Sequence, residues 1–231
     1  MTGSAIRVDN VTKFFGDFPA VRSVSFDLPR GAVLALLGRN GAGKTTMLDM
    51  LAGISSPSKG SIEIGGAIND VDRRRKVGIL GHGQWLYDDL TATENLEFFA
   101  RLYDVPGAAE KIQGWLEDAG LARFHRATIG EFSRGMRQRV AVARAFLHDP
   151  EILLLDEPWT ALDDRAIEFL SGKIREAQGR GCTIVVCSHQ LREALEVATQ
   201  VAVLDRGRLA LFSPNDAELR AAPETLYQRI S

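Results

Sequence analysis

The chain has 231 residues, of which 45% are hydrophobic and 25% are charged, and its formal net charge is −2. This length suits one α/β domain with a buried core, and the composition argues against a disordered chain. The near-neutral charge argues against a simple basic-patch nucleic-acid binder, so we expect no nucleic-acid partner. No apolar stretch reaches the roughly 18 residues that a membrane-spanning helix needs, and the polar N-terminus predicts no secretory signal.

Short apolar runs, separated by helical patterns, recur along the chain and predict an α/β fold. The predicted strands are Ile6–Val11, Ser23–Leu28, Ala32–Leu37, Ser61–Ile64, Lys76–Leu80, Glu151–Leu155, Thr183–Cys187 and Gln200–Asp205. A tight turn at residues 205–208 then leads into Leu209–Phe212. The cysteines, Cys182 and Cys187, are five residues apart, which on a strand places them on opposite faces and disfavours a disulfide or a shared metal.

The strongest motif is a phosphate-binding loop of the pattern G-x-x-x-x-G-K-[ST], formed by Gly38-Arg39-Asn40-Gly41-Ala42-Gly43-Lys44-Thr45-Thr46. It follows a predicted strand and precedes a predicted helix through Met47–Ala52, as this loop requires. Glycines let successive backbone N–H groups converge on a phosphate, and the helix N-terminus favours an anion. We expect the loop to bind ATP, with Lys44 at the β- and γ-phosphates and the Thr45 hydroxyl on Mg²⁺.

The middle of the chain, from about Thr93 to about Pro150, has a helical pattern with no convincing strand. It predicts a helical subdomain (about 93–150) inserted into a core (about 1–92 and 151–231) of one domain. Within it, Ser133 is a good N-cap, and Gly135 leaves that helix start open to an anion. A second anion-binding helix start makes sense if it completes the nucleotide site of another copy; a plain capped helix is the alternative.

An acidic motif follows the predicted strand at Ile152–Leu155. Asp156 is placed to hold Mg²⁺ through a water, and Glu157 to orient or deprotonate the attacking water. An acidic strand end that begins a turn at Pro158 is the alternative. At the other end of the chain, a small polar helix at residues 216–220 and a loose end are predicted.

In this order, the motifs resemble those of the nucleotide-binding subunit of an ATP-binding-cassette (ABC) transporter, over nearly the whole chain. The resemblance implies an α/β P-loop NTPase core with a mixed sheet flanked by helices, an N-terminal antiparallel β subdomain and the inserted helical subdomain. It assigns roles to four further positions: adenine stacking, the family signature, the loop that crosses the dimer interface, and the γ-phosphate contact. These positions are Phe15, Ser133-Arg134-Gly135-Met136, Asp163 and His189.

The resemblance also implies partners. Two copies form a head-to-tail homodimer, with ATP between the phosphate loop of one and the Ser133 helix of the other. Separate integral membrane subunits hold the dimer at the cytoplasmic face of the cell membrane. One position departs from the family: where a glutamine normally contacts Mg²⁺ and water, alignment places His82, with Gln84 two residues on. Because histidine titrates near neutral pH, coupling there is expected to depend on pH, unless His82 is merely a tolerated substitute.

The transported molecule is suggested by a finer resemblance. Leu80-Gly81-His82 and the segment from Leu90 to Phe98 are similar to the ATPase subunit of the haem exporter of cytochrome c maturation. The Ser-Arg-Gly-Met signature is also common in exporters of drugs, lipids and polysaccharides, which stay as alternatives. An importer ATPase, a soluble non-transport ATPase of the same superfamily and a degenerate, non-catalytic cassette are further alternatives.

Overall fold

The computed structural model describes residues 3–67, 70–81, 84–160 and 162–230. Its strands are β1 (Ser4–Phe15), β2 (Phe18–Pro29), β3 (Val33–Leu37), β4 (Lys59–Ile64), β5 (Val77–Leu80), β6 (Ile152–Asp156), β7 (Thr183–Cys187), β8 (Gln200–Asp205) and β9 (Arg208–Pro214). Its helices are α1 (Lys44–Ala52), α2 (Asp70–Lys76), α3 (Ala92–Leu102), α4 (Ala108–Asp118), α5 (Arg134–Phe146), α6 (Asp164–Gly179), α7 (Leu191–Val197) and α8 (Ala217–Ala221). The predicted strands are confirmed, although β1 and β2 are longer than predicted.

The larger sheet has the strand order β5-β6-β7-β3-β8-β9. Its neighbouring strands are parallel except for the antiparallel pair of β8 and β9, so the sheet is mixed. Every residue of β3, β6 and β7 is buried, as expected for central parallel strands whose two faces are covered by other elements. Cys182 and Cys187 belong to the hydrophobic clusters on opposite faces, and both are free thiols, as predicted.

The smaller sheet is antiparallel, with the order β2-β1-β4. Side chains of β1 and β2, such as Ile6 and Val24, are buried in the same cluster as Met47 and Leu51 of α1. This packing places the tip of the β1–β2 hairpin beside the start of α1. The two sheets together confirm the fold class, an α/β P-loop NTPase core with an N-terminal antiparallel β subdomain.

The segment between β5 and β6 is helical. Helices α3, α4 and α5 pack around a third cluster that includes Leu96, Leu116 and Val140. Thr91 begins α3 with a reciprocal cap: its hydroxyl accepts from the Glu94 N–H at 3.2 Å, and the Glu94 carboxylate accepts from the Thr91 N–H at 2.8 Å. All residues from 93 to 150 are described, and they contain no strand, only an isolated bridge at Thr128. The exact division of the chain into subdomains stays a prediction.

The C-terminal segment corrects one prediction. Instead of a loose end, 3-10 turns over Pro223–Ile230 follow α8. Leu219 and Leu226 are fully buried against the core, so hydrophobic burial holds this segment in place. Among the described residues, no helix is both long and apolar enough to cross a membrane.

Candidate active site

The phosphate loop joins the buried strand β3 to α1. Gly38, Gly41 and Gly43 have φ values of 151°, 77° and 103°, in the region that favours glycine. A Cβ on Gly43 would lie 2.6 Å from the carbonyl oxygen of Ala20, and one on Gly38 would lie 2.4 Å from that of Leu204. Gly38 and Gly43 are therefore needed both for the backbone conformation and for close packing against β8 and β2, whereas Gly41 is needed for the conformation alone.

Lys44 and Thr45 begin α1 inside this loop. Lys44 is only 8% exposed, and its ammonium donates to the carbonyl oxygens of Gly38 at 2.8 Å and Arg39 at 3.4 Å. The Thr45 hydroxyl donates to Oδ2 of Asp156, at the end of β6, at 3.1 Å. Behind the loop, burial raises the pKa of the Cys187 thiol well above its usual value, so the thiol stays neutral.

Glu157 directly follows β6 and has a φ of 49°, in the left-handed region. For a residue other than glycine this conformation costs on the order of 1–3 kcal/mol and is often found at functional sites. Its Oε2 accepts from the Ser188 hydroxyl at 3.2 Å and the His189 N–H at 3.3 Å, and lies 2.7 Å from Nδ1 of His189. A carboxylate only accepts, so this contact keeps a proton on Nδ1. Residues 188–189 thus orient the carboxylate.

The phosphate loop opens into a cleft of about 550 Å³. It is lined by the hairpin tip, the loop and the two acidic residues: Phe15, Phe18, Ala20, Asn40, Gly41, Ala42, Gly43, Lys44, Thr45, Thr46, Asp156 and Glu157. Phe15 and Phe18 face each other across the hairpin register and are 57% and 62% exposed. Phe18 was not predicted from sequence, because its place in the cleft depends on the hairpin pairing.

A second cleft of about 620 Å³ adjoins the first and shares Asp156 and Glu157 with it. It is also lined by His189 and by Gln84, Arg134 and Gln138 from the other side. The predicted site residue His82 lies outside the described residues. Gln84 is described, and its Nε2 donates to Oε1 of Gln138 at 3.1 Å.

The start of α5 meets the second cleft through Arg134, but its N-cap is not among the described residues that line either cleft. Ser133 is the N-cap, as predicted, and accepts from the Met136 N–H at 3.3 Å. Neither Ser133 nor Gly135 belongs to the described lining of the phosphate-loop cleft. Ser133 is exposed, and the first turn of α5 contains no acidic residue. Asp163 caps α6, with its Oδ1 accepting from the Ala166 N–H at 2.9 Å.

The arrangement can therefore bind a triphosphate at the loop, an aromatic base at the hairpin tip and a metal between Thr45 and Asp156. A hydroxyl and a carboxylate are hard oxygen ligands of the kind Mg²⁺ prefers, and Mg²⁺ normally completes its shell with phosphates and waters. Glu157 lies at the border of both clefts, where it can accept a proton from water.

The family model for ABC transporters (ABC_tran) matches residues 21–160. The chain belongs to this family: it is an ATP-binding subunit of the ABC transporter class and hydrolyses ATP. The match covers the phosphate loop, the start of α5 and the acidic end of β6, but not Phe15 and Phe18 of the hairpin tip or His189.

Three curated relatives have different transport roles in their names. The chain is 37% identical over 217 residues to the ABC transporter ATP-binding protein NatA of Bacillus subtilis, covering 90% of this chain and 84% of NatA. It is 39% identical over 220 residues to the sulfate/thiosulfate import ATP-binding protein CysA of Mycobacterium tuberculosis, covering 92% and 62%. It is 35% identical over 208 residues to the Nod factor export ATP-binding protein I of Ralstonia nicotianae, covering 88% and 65%. The chain thus spans just under two thirds of the last two.

Two solved structures share the fold over most of their length. The ATP-binding subunit of an ABC transporter superposes with a TM-score of 0.90 at 28% identity, covering 98% of this chain and 99% of that one. A dimer of the ATP-binding cassette MJ0796, in a post-hydrolysis state with ADP and phosphate, gives a TM-score of 0.82 at 27% identity, covering 92% and 99%. The fold seen here is therefore compatible with a cassette that dimerises and hydrolyses ATP.

Proposed function

We propose that two copies of this chain close head to tail on two ATP molecules and, through hydrolysis, drive export by separate integral membrane subunits at the cytoplasmic face of the cell membrane. One observation carries the proposal. The phosphate-loop cleft holds Lys44, Asp156 and Glu157, whereas the exposed anion-binding start of α5 at Ser133 lies outside it. A second copy supplies that start.

The chemistry follows from the placement of Glu157. Water attacks the γ-phosphorus of ATP, the bond to the β-phosphate oxygen breaks, and ADP and inorganic phosphate leave. Glu157 orients the water and accepts its proton, while Lys44 and the backbone N–H groups of the loop stabilise the phosphate charge. His189, held at 2.7 Å from the Glu157 carboxylate, orients that carboxylate. We propose that it also contacts the γ-phosphate, as the family resemblance implies.

Metal and base each have a proposed place. Thr45 and Asp156 would hold Mg²⁺, which supplies positive charge to the triphosphate oxygens. Phe15 and Phe18 would stack on adenine from the hairpin tip, since both rings are exposed and line the cleft. His82 stays a sequence-based proposal for the metal-contacting position.

The proposed dimer has two-fold symmetry. Each copy offers one phosphate loop and one α5 start, so the same patch of each protein meets the other across a two-fold axis. The MJ0796 cassette, which shares this fold, is described as a dimer bound to ADP and phosphate. In this assembly Asp163 would lie near the partner copy, with its side chain also fixing the start of α6.

An apolar surface supports docking of membrane subunits. Trp85, Tyr87, Phe98 and Leu102 are 38% to 60% exposed, on the loop after β5 and on α3. Tyr87 and Phe98 pack edge to face with ring centroids 5.1 Å apart, so these two side chains form one patch. Exposed apolar patches of this kind mark interaction surfaces. The patch lies beside Gln84 and thus close to the catalytic cleft.

For the cargo, we propose haem, exported for cytochrome c maturation, on the sequence similarity at residues 80–82 and 90–98 alone. None of the three relatives named above carries this function in its name. An exporter of drugs, lipids or polysaccharides is the alternative. Deletion of the gene should abolish haem-stained c-type cytochromes while leaving b-type cytochromes intact, and the Lys44→Ala variant should fail to restore them. Normal c-type cytochromes would exclude haem as the cargo but would not contradict the ATPase activity.

The dimer itself is tested by Glu157→Gln, which keeps the shape of the side chain but removes the base. Size-exclusion chromatography with light scattering should show a dimer with ATP and a monomer with ADP, because bound ATP is no longer consumed. Turnover should fall on the order of 100-fold or more, as when a general base is removed. A variant that stays monomeric with saturating ATP, or that hydrolyses at the wild-type rate, contradicts the proposal.

A further inference from the structure

Gln138 is a buried amide that the mechanism above does not use. It lies on α5 and is 8% exposed. Its Oε1 accepts from Nε2 of Gln84 at 3.1 Å, and its Nε2 donates to the carbonyl oxygen of Pro158 at 3.0 Å. Buried amides need such partners, because their hydrogen bonds to water are lost. Here the partners come from the loop after β5 and from the turn after β6, so one side chain joins three segments.

The Pro158 carbonyl belongs to the turn that sets the Glu157 carboxylate. Glu157 is held in its left-handed conformation by its N–H, which donates to the Cys187 carbonyl oxygen at 2.8 Å, and by its own carbonyl oxygen, which accepts from the Thr160 N–H at 3.1 Å. Strained conformations persist only where the surroundings fix them. Gln138 fixes the next carbonyl along the chain, and it does so from α5 rather than from the sheet.

We propose that Gln138 is a positioning residue that couples α5 to Glu157, with Gln84 orienting its amide. This inference rests on the proposed function, in which Ser133 of the same helix contacts the ATP bound by the partner copy. Ser133 and Gln138 are five residues apart, or about 7.5 Å along a helix. A shift of α5 when it meets that ATP is therefore transmitted through Gln138 to the turn that carries the catalytic carboxylate.

Gln138→Leu tests the coupling, because leucine cannot bond either partner. We expect kcat to fall on the order of 10- to 100-fold, the range that a small misplacement of a catalytic group produces, while KM and the ATP affinity stay within about twofold. The matched control is Gln113→Leu on α4, where the glutamine is exposed and bonds Glu117. It should leave kcat unchanged. If Gln138→Leu unfolds, Gln138→Glu is the substitute, because it still accepts from Gln84 but as a carboxylate cannot donate to Pro158. It should show the fall in kcat expected for Gln138→Leu.

Two further measurements distinguish a positioning role of Gln138 from a purely structural one. Combined with Glu157→Gln, the Gln138→Leu change should leave ATP-dependent dimerisation intact, because only the placement of the carboxylate is lost. Gln84→Met should lower kcat less than Gln138→Leu, and the double variant should be no worse than Gln138→Leu, since both act in one chain of hydrogen bonds.

Three results overturn the coupling role: a kcat within about twofold of wild type, equal losses in affinity and kcat, or failure of the Glu157→Gln/Gln138→Leu protein to dimerise. A different failure points at the proposed function instead. If Glu157→Gln alone does not dimerise on ATP, the head-to-tail dimer is wrong, whereas the split between kcat and KM still decides the role of Gln138.

Discussion

The phosphate-loop region and the start of α5 are the two helix starts proposed to bind anions, yet they are built differently. Lys44 is 8% exposed and already hydrogen-bonded to loop carbonyls, at the start of α1 after the buried strand β3. Ser133 and Arg134 are exposed at the end of a helix whose residues Val140–Phe146 are buried. The first region is complete within one chain, whereas the second presents its polar end to solvent.

This difference indicates which parts of the site one chain can supply. The phosphate loop is held at both ends, by the buried strand β3 and by α1, and its Lys44 is buried, so it keeps its geometry without ligand. The exposed helix start at Ser133 has no such constraint, and in the proposed dimer it would meet the ATP bound by the other copy. Substitutions in the two regions should therefore differ in kind: those in the loop affect binding to a single chain, and those at Ser133 affect only the assembled pair.

The largest effect is expected for Lys44→Ala. Loss of two charge-assisted hydrogen bonds to phosphate should weaken ATP binding on the order of 1,000-fold, measured by titration calorimetry on the isolated chain. Lys59→Ala, at an exposed position on β4, is the control for the lost charge and should bind normally. Unchanged affinity of the Lys44 variant would mean that the loop does not bind the triphosphate.

Ser133→Asp should give the next largest effect. Aspartate still caps α5, but it places a negative charge where the partner's triphosphate is expected, so hydrolysis should fall about 100-fold. ATP binding to a single chain should not change, and Ser133→Thr should retain most of the activity. If the aspartate variant bound ATP poorly as a monomer, both anion sites would belong to one chain, and the comparison above would be wrong.

The next prediction concerns His148 and the pH dependence of stability rather than activity. It stacks on Tyr103 with ring centroids 3.9 Å apart, and burial lowers its pKa from 6.5 to about 4. As pH falls, this histidine is therefore protonated in the unfolded chain before it is protonated in the folded one. The free energy of unfolding decreases as pH falls from about 6.5 towards 4. The loss should be about 2 kcal/mol between about pH 7 and pH 5.

His148→Phe keeps the stacking but removes the titrating group. Urea melts at the two pH values should show a smaller loss for this variant than for the wild type. Glu157→Gln, in the catalytic region, serves as the control and should leave the pH dependence of unfolding in this range as it is. An unchanged pH dependence in the phenylalanine variant would show that His148 titrates alike in both states.

The smallest effect is expected for Phe15→Ala. Loss of one stacking ring should cost about 1 kcal/mol, a rise in KM for ATP of about fivefold with little change in kcat. Phe14→Ala is the matched control, because Phe14 is next to it in β1 but not among the described residues that line the cleft. Equal effects of the two substitutions would show that adenine does not bind at the hairpin tip.

Much of the site could be predicted because its parts are contiguous in sequence. The loop at Gly38–Thr46, the pair Asp156-Glu157 and the cap at Ser133 each need only neighbouring residues and a strand or helix beside them. Gln138 was missed because a lone glutamine in a helix has no pattern. Its partners are 54 and 20 residues away, and only packing of α5 against the sheet brings them together.

The sequence alone determined the strands, the phosphate loop, the order of the motifs and the family, since periodicity and spacing depend on residues close in the chain. The tertiary structure decided which of those motifs meet. It placed Lys44, Thr45, Asp156 and Glu157 in one cleft and left Ser133 outside it. It also brought His189 to the Glu157 carboxylate and Gln138 to the Pro158 carbonyl. The physical reason is that parallel strands distant in sequence end at one edge of the sheet, whereas α5 packs with the helical segment and leaves its first turn exposed.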